Sequence, residues 1–96
     1  MARFLVERNI PGAGKLSPQQ LQEISAHSCA VISAMERDGL RVFWEHSFVT
    51  PDKIFCVYNA PDERTVREHA ERGGFPANNV FPIGGTIGPE TSLPAT

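Results

Sequence analysis

The side chains best suited to chemistry in this sequence are two histidines, a cysteine and a tyrosine. His46, Cys56 and Tyr58 lie in the segment 40–60, and His69 follows in the next segment. Imidazole, thiol and phenol groups are ligands that suit a borderline transition metal such as nickel, zinc or copper. The sequence has no CxxC, no HExxH and no histidine pair within one helical turn, so the residue types indicate a metal site but their spacing adds no support.

The same residues are also compatible with an enzyme or with a structural role. His46 could act as a general base and Tyr58 as a proton donor, as in a small biosynthetic cyclase, isomerase or monooxygenase-like enzyme acting on a small aromatic substrate. Trp44 and Phe48 would wall the apolar pocket. Cys56 beside His46 could instead be a nucleophile. The structural alternatives are half-buried histidines satisfied by neighbouring carbonyls or by Tyr58, and an interaction module without a ligand.

A β-hairpin is predicted to position three of these four side chains. Residues 40–60 read LRVFWEHSFVTPDKIFCVYNA, in which aromatic and β-branched residues alternate on both sides of a Thr-Pro-Asp breaker. If the chain reverses at that proline, antiparallel pairing places His46 opposite Cys56. The same register pairs Trp44 with Tyr58. The prediction therefore gathers most of the reactive side chains in one patch.

The rest of the chain predicts two helices and two further strands around the hairpin. Ser17 is a good N-cap, Pro18 suits the first helical position, and Gln20 completes a capping box. The resulting order is that of an α+β, ferredoxin-like βαββαβ sandwich with a four-stranded antiparallel sheet. The elements expected besides the hairpin are a strand at 3–8, a helix from Pro18 to Gly39, a helix from Pro61 to Gly73 and an edge strand at 78–87 that contains Pro82.

Length and composition indicate one domain in a chain of 96 residues, of which 41% are hydrophobic and 21% charged. We assign residues 1–88 to the ferredoxin-like domain and residues 89–96 to a flexible C-terminal tail. A net charge of -2 gives no electrostatic case for nucleic acid. The absence of a long apolar run and of a signal peptide predicts a cytoplasmic protein with no membrane partner. Cys29 and Cys56 are expected to be free thiols in that compartment.

Alternation divides the strand residues into two sets, and neither set is fully polar. The more apolar set is expected to face the helices; it consists of Phe4, Val6, Val42, Trp44, His46, Phe48, Ile54, Cys56 and Tyr58. The other set would lie on the open face; it consists of Leu5, Glu7, Phe43, Glu45, Ser47, Val49, Phe55, Val57 and Asn59. Because a contiguous apolar patch usually marks an interface, the simplest cover for the open face is a second copy, giving a homodimer.

Three segments of the chain resemble a known family. FLVERNIPGAG, WEHSFVTPDKIFCVYNAPDE and REHAERGGFPANNV are similar to a family of small ferredoxin-like proteins catalogued as a domain of unknown function, which includes an actinobacterial nickel-binding protein. The resemblance implies a ferredoxin-like homodimer and nickel, or another divalent transition metal, as the bound ion. The positions that match the family's motif and could be metal ligands are His46, His69, Cys56 and Tyr58. Among them, His46 is our first choice of ligand.

Overall fold

A computed structural model describes residues 1–94, which form one antiparallel sheet with two α-helices. The elements are β1 (Ala2–Asn9), α1 (Pro18–Arg37), β2 (Phe43–Val49), β3 (Lys53–Ala60), α2 (Glu63–Gly73) and β4 (Asn79–Ile83). The strands are ordered β2-β3-β1-β4 in the sheet, so β2 and β4 are the edges. This arrangement confirms the α+β class and is consistent with the ferredoxin-like fold. Neither α-helix within residues 1–94 combines the length and the apolar composition that a membrane crossing requires.

The core lies between the helices and one face of the sheet. On β1, Phe4 and Val6 are buried and alternate with more exposed neighbours, and Tyr58 of β3 lies opposite Phe4. Met35 of α1 and Val66 of α2 are fully buried against this face. The prediction that the more apolar set faces the helices is therefore confirmed on the two central strands.

Strand β2 confirms one predicted pair and contradicts the other. Trp44 lies opposite Tyr58 as expected, but His46 lies opposite Val57 and not opposite Cys56. A β-bulge between Trp44 and His46 shifts the register at this point. A bulge places two residues of one strand against one residue of its partner, so every later residue on that strand changes face.

The bulge reverses the faces predicted for the second half of β2. Ser47 and Val49 line the helix side of the sheet, where Trp44 Nε1 donates a 2.9 Å hydrogen bond to Ser47 Oγ. His46 and Phe48 lie on the open face instead, so their assignment to the core side was wrong. The indole bond holds the new register in place, because it requires Trp44 and Ser47 on one side of the strand.

The start of α2, the end of β4 and the segment after β4 differ most from the sequence-based expectation. Helix α2 begins at Glu63 and not at Pro61, because Asp62 is the N-cap and accepts a 2.9 Å hydrogen bond from the Thr65 amide. Strand β4 ends at Ile83, before two glycines that weaken strand pairing. The predicted tail at 89–96 begins with a short 3-10 turn at Pro89–Ser92, and its residues 95–96 lie outside the described residues.

The predicted capping box of α1 is confirmed in both halves. Ser17 Oγ accepts a 3.1 Å bond from the Gln20 amide, and Gln20 Oε1 accepts a 2.9 Å bond from the Ser17 amide. We expect Ser17→Ala to lower the free energy of unfolding by about 1 kcal/mol, measured by urea denaturation. Ser17→Asp restores an acceptor and should retain most of the stability. An alanine variant as stable as the wild type would contradict this account.

Candidate functional site

The sheet separates the four candidate ligands into two groups. Cys56 and Tyr58 are buried on the helix side of β3, and His69 of α2 packs against Tyr58, with 5.1 Å between the two ring centroids. His46 is exposed on the open face. The bulge in β2 is the reason that His46 does not join the other three. Cys56 and Cys29 are both free thiols.

His69 is completely buried, with 0% of its surface exposed. Its Nε2 shares a 3.0 Å hydrogen bond with Ser28 Oγ of α1, whereas its Nδ1 has no hydrogen-bond partner among the described residues. The ring stacks on Phe75 with 5.4 Å between centroids. Burial, helped by the positive charge of Arg8, lowers the pKa of His69 to about 4. His69 is therefore neutral at pH 7 and adds no charge to its surroundings.

A buried arginine lies beside this cluster. Only 3% of Arg8 is exposed, and its guanidinium donates to the Pro76 carbonyl at 2.5 Å and to the Tyr58 hydroxyl at 3.2 Å. The guanidinium carbon lies 5.8 Å from the Tyr58 ring centroid and 5.2 Å from that of Phe75. Burial, followed by the nearby Cys56, raises the pKa of Tyr58 to about 12, so the phenol stays protonated at neutral pH.

A cavity of about 80 Å³ opens between α1 and the sheet. Trp44, Cys56 and Tyr58 line it from the sheet, Ser25 lines it from α1, and Arg8 lines it from β1. The sequence suggested an apolar pocket walled by Trp44 and Phe48 that held His46 and Tyr58. Trp44 and Tyr58 do line this cavity, but the bulge places His46 and Phe48 on the other side of the sheet.

Sequence reasoning missed Arg8, Ser28 and Phe75. The signal for Arg8 was present, because it continues the alternation of Phe4 and Val6 and so had to point toward the core. Phe75 lies in the loop after α2, where the sequence has no periodic pattern that would predict its position. Its position against Arg8 and His69 depends on how the chain turns after α2.

The open face of the sheet has an apolar centre with ion pairs beside it. The apolar side chains on this face come from all four strands and include Leu5, Phe43, Phe48, Phe55, Val57 and Phe81. Arg3 pairs with Glu45 at 2.9 Å on this face, and Lys53 pairs with Glu7. His46 lies at the edge of the apolar centre and contacts Phe48 edge to face, with 5.0 Å between ring centroids.

The described residues of a single chain do not form a complete metal site. Within residues 1–94, no three side chains of His, Cys, Asp or Glu are close enough together to hold a metal ion. On the open face, His46 has the apolar Val57 opposite it and Phe48 against its ring. A metal bound at His46 would therefore need further ligands from water or from a second protein molecule.

A family model described as nickel responsive protein SCO4226-like matches residues 4–83. The chain belongs to this family. The match confirms the resemblance to small proteins with an actinobacterial nickel-related member. The crystal structure of SCO4226 from Streptomyces coelicolor A3(2) is similar to this chain, with a TM-score of 0.73 and 20% sequence identity, over 90% of this chain and 100% of that chain. At this identity, the likeness to SCO4226 shows a shared fold. A search of the curated proteins finds no match.

Proposed function

We propose that this protein is a cytoplasmic homodimer that binds a transition metal, with nickel as the first metal to test. The observation that carries the proposal is the position of His46, which is exposed on a sheet face whose centre is apolar. The family is described as nickel responsive. A neutral imidazole is among the ligands that suit nickel. When bound, the metal would be held by His46, and each protomer would contribute its own His46 as a ligand.

The open face supports the homodimer. Phe43, Phe48 and Phe81 are each exposed there, and they surround the more buried Leu5 and Val57. Soluble monomers rarely expose a contiguous apolar patch of more than several hundred Å². A twofold interface uses the same patch on both copies, so it would bring His46 of both protomers to one interface. Two copies could then supply the ligands that one protomer lacks.

His69, Cys56 and Tyr58 remain candidate ligands of second choice. Their position on the helix side separates them from His46, so they would form a different site. His69 offers a neutral Nδ1 without a hydrogen-bond partner among the described residues. Tyr58 would have to lose a proton whose pKa is raised to about 12. These features favour His46 as the first residue to test.

The geometry gives less support to the enzyme alternative in the form that the sequence suggested. A general base at His46 and a proton donor at Tyr58 would have to act on one substrate, but these side chains lie on opposite faces of the sheet. The same separation applies to His46 and Cys56. A histidine does lie beside Tyr58, but it is the enclosed His69.

We expect His46→Ala to reduce nickel affinity at least tenfold, because the change removes a direct ligand from each protomer. The measurement is nickel titration calorimetry on untagged, metal-free protein. The matched control is His27→Ala, which removes an exposed histidine that lies on α1 and contacts Phe75, remote from the open face. Circular dichroism should show that both variants keep the fold.

Two outcomes would contradict this proposal. If wild-type protein gives no saturable nickel binding, the metal function is refuted. If nickel affinity is unchanged in His46→Ala, the assignment of His46 is refuted. Loss of affinity in the control variant but not in the His46 variant would place the site near α1 instead.

A further inference from the structure

The cavity between α1 and the sheet contains a positive charge that has no ion-pair partner within residues 1–94. Arg8 lines the cavity and is 3% exposed, yet none of the ion pairs formed within residues 1–94 includes it. Its hydrogen bonds go to the neutral Pro76 carbonyl and Tyr58 hydroxyl. Burying a charge without an opposite charge is unfavourable, so this position points to an anion that arrives as a ligand.

The donors around Arg8 suit a carboxylate. A guanidinium has five N–H groups in a planar fork and binds a carboxylate through two parallel hydrogen bonds. Tyr58 accepts a bond from Arg8, which leaves its own hydroxyl proton for a second acceptor. His69 also packs against Tyr58 but is neutral at pH 7, so Arg8 supplies the cationic charge of this cluster.

The size and lining of the cavity restrict the rest of the ligand. The cavity has a volume of about 80 Å³ and is otherwise mostly apolar, with Ile10, Leu21 and Ile54 among its lining residues. A cavity of roughly 150 Å³ is the size that holds benzene. The cavity here is about half as large and is partly open to solvent, so its interior suits a short aliphatic chain better than an aromatic ring.

We propose that this cavity binds a short aliphatic monocarboxylate of about three to five carbons, a length that matches the small volume of the cavity. The carboxylate lies on the Arg8 guanidinium and the Tyr58 hydroxyl, and the chain packs against Ile10 and Leu21. This site is on the opposite side of the sheet from His46 and does not depend on the proposed nickel function.

The first test compares ligands on the wild-type protein. Sodium butyrate is titrated into the ¹⁵N-labelled, metal-free protein at constant ionic strength, with butan-1-ol and benzoate as comparisons. We expect saturable shifts of the amides of Ser25, Ser28 and Tyr58, and butyrate binding at least tenfold tighter than butan-1-ol or benzoate. No saturable shift with butyrate, equal binding of butan-1-ol, or equal binding of benzoate would overturn the proposal.

The second test uses variants and keeps the proposal testable if Arg8 proves necessary for folding. Arg8→Met should lose at least tenfold in butyrate affinity, and Ser25→Leu, which fills the cavity from α1, should abolish binding. Ala26→Leu, at an exposed position on the same helix, is the matched control and should bind normally. His46→Ala should also bind butyrate normally, which separates this site from the nickel site. Unchanged binding in Ser25→Leu or in folded Arg8→Met would overturn the proposal.

Discussion

Phe81→Asp is expected to convert the proposed homodimer into a monomer without disrupting the fold. Phe81 is 48% exposed on edge strand β4 and lies next to Leu5 on the open face. Covering a phenylalanine contributes about 2 kcal/mol, and a twofold interface contains two copies of it. The loss of about 4 kcal/mol raises the dimer dissociation constant about a thousandfold. Two carboxylates would in addition have to leave water on association.

Sedimentation at micromolar concentration measures this change directly. The control is Ile87→Asp, because Ile87 is 84% exposed and lies beyond the end of β4. It makes the same chemical change outside the sheet and should leave the dimer intact. A Phe81→Asp variant that sediments with the wild-type dimer would remove Phe81 from the interface. A wild type that sediments as a monomer would refute the homodimer itself.

The elements of this fold were predictable where local signals agree with one another. Ser17 and Gln20 define the start of α1 through a capping box that requires only neighbouring residues. Pro82 restricts its strand to a sheet edge, and β4 is an edge strand. On β1, Phe4 and Val6 alternate with more exposed residues, so the face toward the core follows from the pattern.

The register of β2 could not be predicted by the same reasoning. The strand has apolar side chains in both phases, because Phe48 belongs to one alternation and Val49 to the other. Hydrophobicity therefore did not decide which phase faces the helices, and the bulge carries no glycine or proline to mark it. The Trp44 to Ser47 hydrogen bond that favours the shifted register forms only when the strand is already bulged.

The candidate site was predicted in its residue types more than in its geometry. Tyr58 and His69 come together as the topology suggested, since α2 packs on β3. Arg8, however, reaches Tyr58 and Phe75 only after distant parts of the chain have assembled. Such long-range contacts have no periodic signal in the sequence, so the buried charge beside the cavity became visible only in the structure.

The second large effect concerns stability in acid and originates in His69. In the unfolded chain this histidine titrates at its ordinary pKa of 6.5, whereas in the folded protein burial lowers the pKa to about 4. Between these values the unfolded state holds more protons, so the free energy of unfolding falls as the pH is lowered. The two pKa values differ by about 2.5 units, which corresponds to a loss of about 3 kcal/mol when the pH reaches about 4.

Urea denaturation of the metal-free protein in EDTA, at steps from pH 7.5 to pH 4, measures this loss. His69→Gln is the matched variant, because glutamine does not titrate and can still hydrogen-bond to Ser28. The variant should be less stable at pH 7 but should lose about 3 kcal/mol less than the wild type on acidification.

Glu7 and Glu45, whose pKa values are lowered by Lys53 and Arg3 respectively, also destabilise the protein in acid. They do so equally in both proteins, so the difference between the two pH profiles isolates His69. Parallel profiles would show that His69 is not held neutral by the fold.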